Sequence, residues 1–84
     1  MVYNHIKHME YLQQVLAGIV SVPEEIKINS ITDERGVLLS VSVDQSDFGK
    51  IIGREGETAK AIRRIISAYG YLRNQKISVK FLEE

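Results

Sequence analysis

Cysteine is absent from the 84 residues, which excludes disulfides, zinc ribbons, iron–sulfur ligation and thiol catalysis and suits a reducing compartment. Two histidines are the soft metal ligands that remain; His5 and His8 stand three apart without a third ligand nearby, so no metal is expected. Net charge is also lacking: eleven basic side chains cancel eleven acidic ones, which taken alone argues against a simple polycation built for nucleic acid or membrane. No apolar run is long enough for a membrane span. The first ten residues carry Asn, two His, Lys and Glu where a signal peptide needs an apolar stretch. A soluble cytoplasmic protein is expected. At 44% hydrophobic composition the chain suffices for one small domain, residues 1–84, with one modest core.

The charge that is present is unevenly placed. Residues 1–48 hold three basic and seven acidic side chains, a balance of minus four. Residues 49–80 hold eight basic (Lys50, Arg54, Lys60, Arg63, Arg64, Arg73, Lys76, Lys80) and two acidic (Glu55, Glu57), a balance of plus six, and Glu83 and Glu84 remove the remaining two. The zero is a cancellation between halves.

Hydrophobic periodicity organises the chain. Ile6, Met9, Leu12, Leu16 and Ile19 recur at spacings of three and four, predicting an amphipathic helix over 4–20, with Pro23, the one proline, just past it. Ile26 and Ile28, a polar turn at 32–36, and Val37, Leu39, Val41 and Val43 at period two predict a hairpin. A short helix through Phe48, Lys50, Ile51 and Ile52, with Ser46 or Asp47 as its cap, is broken at Gly53–Gly56. A longer one from Glu57 to about Tyr69 sets Ile62, Ile65, Ile66 and Tyr69 on one face and Lys60, Arg63, Arg64 and Ser67 on another, with Gly70 as its terminator. Ile77, Val79 and Phe81 alternate as a last strand. The order is α-β-β-α-α-β, an α+β fold; return through two helices is long enough for a parallel crossover, so a mixed three-stranded sheet with helices packed on one face is expected.

Chemistry concentrates between Gly49 and Ile66. Gly53 and Gly56 frame a turn tight enough to present backbone N–H groups at a helix N-terminus, where a phosphate is favoured by amides and helix dipole together. Lys50 and Arg54 add charge at the loop, Lys60, Arg63 and Arg64 continue it along the next helix, and Ile51 or Ile52 would supply an apolar floor for bases. A charged rim beside an apolar groove suits unpaired nucleotides. Glu55 sets a repulsive carboxylate beside the expected phosphate, which Arg54 offsets.

The string Ile51-Ile52-Gly53-Arg54-Glu55-Gly56 resembles the Ile-Gly-x-x-Gly loop of KH domains, which clamps about four backbone nucleotides. The element order is similar to the type II, bacterial form of that fold. Pro23-Glu24-Glu25-Ile26, Asp47-Phe48-Gly49-Lys50 and Thr58-Ala59-Lys60-Ala61-Ile62-Arg63 resemble the small bacterial single-KH proteins of the KhpA type, over roughly residues 9–82. The resemblance implies phosphate contact at Gly53, Arg54, Glu55 and Gly56, steering by Lys50 and Lys60, and a groove lined by Ile51 or Ile52. It further implies binding of single-stranded RNA with little sequence preference, a role as RNA chaperone or post-transcriptional regulator, and self-association or pairing with a larger KH-containing chain.

Competing readings fail on spacing. Ile51 occupies the first glycine position of a dinucleotide fingerprint, and Asp44 stands where a P-loop needs glycine. No nucleophile–base pair or metal cluster is visible, so no enzyme and no cofactor are expected. Tyr3, Tyr11, Tyr69 and Tyr71 read as core or interface residues. The alternative to RNA binding is a KH-fold interaction module acting mainly as a dimerisation partner, with RNA contact weakened by Glu55.

Overall fold

The computed structural model describes residues 6–83. Helix α1 spans Ile6–Ala17; the expected start at Asn4, like His5 of the histidine pair, lies outside the described residues. Its buried ridge is His8, Leu12 and Leu16, four apart and therefore on one face, flanked by Met9, Tyr11 and Val15. His8 is thus a fully buried residue rather than the surface histidine expected, because it continues the leucine ridge. The helix stops short of the predicted Val20: the Ile19 and Val20 N–H groups both fold back onto the Leu16 carbonyl, and Ile19 reaches the core from a turn.

Strands β1 (Lys27–Asp33) and β2 (Gly36–Ser42) pair antiparallel. Their turn is tighter than the predicted 32–36, because Thr32 and Asp33 join the ladder opposite Val37 and Gly36. The Arg35 N–H donates to Asp33 Oδ1 at 2.7 Å and closes the reversal locally. Strand β3 (Ile77–Phe81) lies parallel to β2, giving the order β1-β2-β3. The mixed sheet and the α-β-β-α-α-β order are as expected. Val37, Leu39 and Val41 of β2 join Ile77 and Val79 of β3 in the core with Leu12, Leu16, Ile51, Ile62 and Ile66. Burial of one such side chain is worth about 1.5–3 kcal/mol.

A 3₁₀ turn at Gln45–Asp47 leads into α2 (Phe48–Ile52). Its cap is neither Ser46 nor Asp47: the Asp44 carboxylate accepts the Ser46 N–H. Helix α3 runs Glu57–Tyr71, so Gly70, expected to end it, lies inside. A Cβ there would stand 2.7 Å from the Gln75 carbonyl oxygen and 2.8 Å from Ile77 Cγ1, so the glycine serves close approach to the chain entering β3. Termination comes later, with Asn74 at φ 58° and the Gln75 N–H returning to the Gly70 carbonyl. The buried side of α3 is Ala59, Ile62, Ile66 and Gly70. Tyr69 stacks on Tyr11 of α1 at 5.0 Å between centroids, whereas Ile65 is left 43% exposed. No described helix is long and apolar enough to cross a membrane.

Candidate nucleic-acid interface

The loop between α2 and α3 is held in a conformation that few sequences tolerate. Gly53 has φ 76° and ψ 178°, Glu55 φ 54°, and Gly56 φ 76°. Gly53 lies in a region essentially reserved for glycine, and a Cβ on it would collide with the Thr58 side chain and backbone. Thr58, in the first turn of α3, is therefore the wall against which the loop folds. Gly56 points into open space, and only its left-handed backbone asks for glycine.

This geometry sorts the loop amides. The Gly53 N–H donates to the Gly49 carbonyl at 2.8 Å, closing α2, and the Gly56 N–H donates to the Gly53 carbonyl at 3.2 Å. The Glu57 N–H is likewise engaged, by the Arg54 carbonyl. The Arg54 and Glu55 N–H groups, at the tip, have no internal acceptor among the described residues. The glycines thus shape the turn, and the two residues between them present amides outward, at the N-terminus of a 15-residue helix. Such an arrangement can accept a phosphate oxygen.

The cations named from sequence fall into three groups. Arg54 and Arg64 are exposed and have no ion-pair partner among the described residues. Lys60 is exposed and 3.5 Å from Glu57 Oε2, one turn away, a solvent-facing contact of little strength that a phosphate can displace. Lys50 is more firmly placed: its Nζ donates to Ser21 Oγ and lies 3.5 Å from Asp47 Oδ1. Asp47 itself is fully buried and accepts the backbone N–H groups of Ser21 at 2.9 Å and Val22 at 3.0 Å. The Ser21 N–H, helped by that of Val22 and by Lys50, holds the Asp47 carboxyl below the usual carboxylate range against the opposing effect of burial. This network ties the chain leaving α1 to the start of α2 and so supports the loop from beneath. Arg63 turns toward β3, where its Nε donates to the Val79 carbonyl at 3.2 Å and its guanidinium lies 5.2 Å from the Phe81 ring centroid.

Of the two isoleucines before the loop, Ile51 is fully buried in the core and forms no accessible groove floor. Ile52 is half-buried and is the one placed to meet a base. Sequence reasoning missed Ser21, Asp47, Thr58 and Phe81. A polar residue two positions before the α2 glycine was a weak signal for Asp47; nothing in the sequence linked Ser21 or Phe81 to the loop region. Among the described residues no group of three His, Asp or Glu side chains could hold a metal ion.

A family model described as KhpA/KhpB, KH domain, matches residues 9–81. The chain is 35% identical over 75 residues to RNA-binding protein KhpA of Chlamydia pneumoniae, covering 89% of this chain and 96% of that one. It is 32% identical over 73 residues to RNA-binding protein KhpA of Clostridium acetobutylicum, covering 87% and 97%. With RNA-binding protein KhpA of Streptomyces coelicolor the identity is 41% over 61 residues, covering 73% and 77%.

Proposed function

The chain belongs to the KhpA/KhpB family of KH domains, a non-catalytic family, and from that membership we propose that it binds single-stranded RNA at the Gly53–Gly56 loop. The observation that carries this reading is the outward pair of amides at Arg54 and Glu55, set by three successive positive-φ positions at the head of α3 and flanked by the cations Arg54, Lys60 and Arg64. Backbone amides, helix dipole and side-chain charge converge there on one anion, and a phosphate diester is the anion that also brings a base to the half-buried Ile52. Lys50 contributes charge from its anchored position beside Ser21. In the cell such a protein acts in the cytoplasm as an RNA chaperone or post-transcriptional regulator, with no cofactor.

The test is a double change, Arg54→Asp with Glu55→Asp, which places two carboxylates where the phosphate sits. Affinity for an unstructured RNA, read by fluorescence anisotropy, should fall at least about tenfold, the scale of two lost charge-assisted contacts, with the circular dichroism spectrum unchanged. A folded variant that binds as well as its parent removes the loop from the site.

A second interaction is favoured by the exposed apolar side of α3, where Ile65 and Leu72 stand open. Through it the chain pairs with a second KH-containing chain, a contact tested by the solution mass of an Ile65→Lys variant.

A further inference from the structure

Among the basic residues near the loop, Arg63 alone is fastened to the sheet. It lies seven residues beyond Gly56, about 10 Å along the helix axis, which is comparable to the reach of a nucleotide from its phosphate to the edge of its base. The strand it meets, β3, is at the edge of the sheet. The Lys76 carbonyl accepts the Val37 N–H, and the Leu82 N–H donates to the Val41 carbonyl. Even-numbered residues of this stretch therefore turn their backbone groups toward β2, and Ile77, Val79 and Phe81 turn theirs to the open edge.

At that edge Arg63 makes two contacts that fix its plane. Nε donates to the outward Val79 carbonyl at 3.2 Å, and the guanidinium lies against the Phe81 ring at 5.2 Å from its centroid. An arginine has five N–H donors in a rigid fork and no acceptor. With Nε engaged, the end-on pair of NH2 groups is left without a partner among the described residues. The side chain is exposed, so the fork faces solvent from a pre-ordered position. Pre-ordering matters because a freely rotating arginine would lose side-chain entropy on meeting a base.

Resting on the RNA-binding reading of the same site, we propose that Arg63 is the specificity-determining residue, its terminal NH2 groups donating to a base that presents two neighbouring acceptors. Guanine offers O6 and N7 on one edge, and cytosine offers O2 and N3. Adenine and uracil alternate donors with acceptors and cannot satisfy both arms of the fork. The loop then holds the backbone whatever the sequence, while the edge of β3 reads one base.

The test compares labelled, unstructured oligonucleotides of one length: all-C, all-U, all-A, and U-rich with interspersed G. The parent protein should bind the C and the G-containing strands roughly tenfold more tightly than the U and A strands, the scale of one bidentate base contact. The C and G arms show which of the two bases the fork takes. Arg63→Lys keeps the charge and should bind the U strand like the parent while losing the preference. Arg64→Lys, on the neighbouring solvent-facing position, should keep it. A parent that binds all four strands equally, or a preference that survives Arg63→Lys in a protein with unchanged circular dichroism, overturns the proposal while leaving RNA binding intact. A parent that binds none of the strands overturns the RNA reading itself, and this inference with it.

Discussion

At Gly53 a side chain has nowhere to go. Its φ of 76° and ψ of 178° lie outside the left-handed helical well, and the space a Cβ would fill belongs to Thr58. Gly56 shares the positive φ but sits in the left-handed well with open space beside it. Alanine at Gly56 should therefore cost about 1–2 kcal/mol, the ordinary penalty for an L-residue in that well. Alanine at Gly53 should cost more, about 3 kcal/mol, because forbidden torsion and collision add. Urea unfolding of the two variants measures the difference; coincident midpoints would mean that the Thr58 wall yields and that the two glycines are equivalent. Their spacing was legible in the sequence, and so was the turn between them. The division of labour was not, since it depends on Thr58 packing and on which amides the turn consumes. Ile51 and Ile52 show the same limit: adjacent residues on a short helix point about 100° apart, and only the packed core decides which of them is buried.

Elements were legible where a periodic pattern met a geometric stop. The hairpin and the last strand follow from alternation, and the crossover through α2 and α3 follows from the length needed to bring β3 parallel to β2. Element ends were misread where tertiary contacts override local signals: Gly70 continues α3 because Ile77 needs the room, and Asp47 leaves the cap position because the Ser21 and Val22 amides claim its carboxylate. Helix α3 also carries a face that the sheet does not cover. Ala61, Ile65, Ala68 and Leu72 are exposed and follow one another at spacings of four, three and four, the seam spacing by which one helix packs on another. The sequence placed Ile65 inward with Ile62 and Ile66, yet it stands at the rim of the buried face and opens onto this stripe. Pairing through it should make the solution mass rise with concentration from monomer toward dimer in light scattering, and Ile65→Lys should hold the protein monomeric at every concentration. A parent that stays monomeric throughout would discard the stripe as an interface.

For the whole molecule, the vanishing net charge is misleading and so is the plus-six balance of residues 49–80, because the fold distributes those cations over several surfaces. Lys80 lies between the inward-facing Val79 and Phe81 and is exposed on the opposite side of the sheet from α3. Arg73 is held at the far end of α3, its guanidinium 3.8 Å from the Tyr69 ring centroid and donating to the Tyr69 carbonyl. Lys50 is matched by Asp47 and Ser21, and Arg63 by the edge of β3. Arg54, Lys60 and Arg64 remain as the cations free to neutralise phosphates near the loop. Release of counterions from three phosphates of a single strand gives a slope of about −2 in a plot of log affinity against log salt concentration. Replacing Arg54 or Arg64 with Gln should reduce the magnitude of that slope by roughly 0.7 each. Lys80→Gln changes the net charge by the same amount from the wrong face and should leave the slope where it was. If instead Lys80→Gln flattens the salt response as much as Arg54→Gln does, binding follows overall charge and not the geometry of the loop. A protein of zero formal charge can bind a polyanion only through such local placement, since at physiological ionic strength charges more than about 8 Å apart are largely screened, and the acidic half of the chain then has little influence on a strand held at Gly53–Gly56.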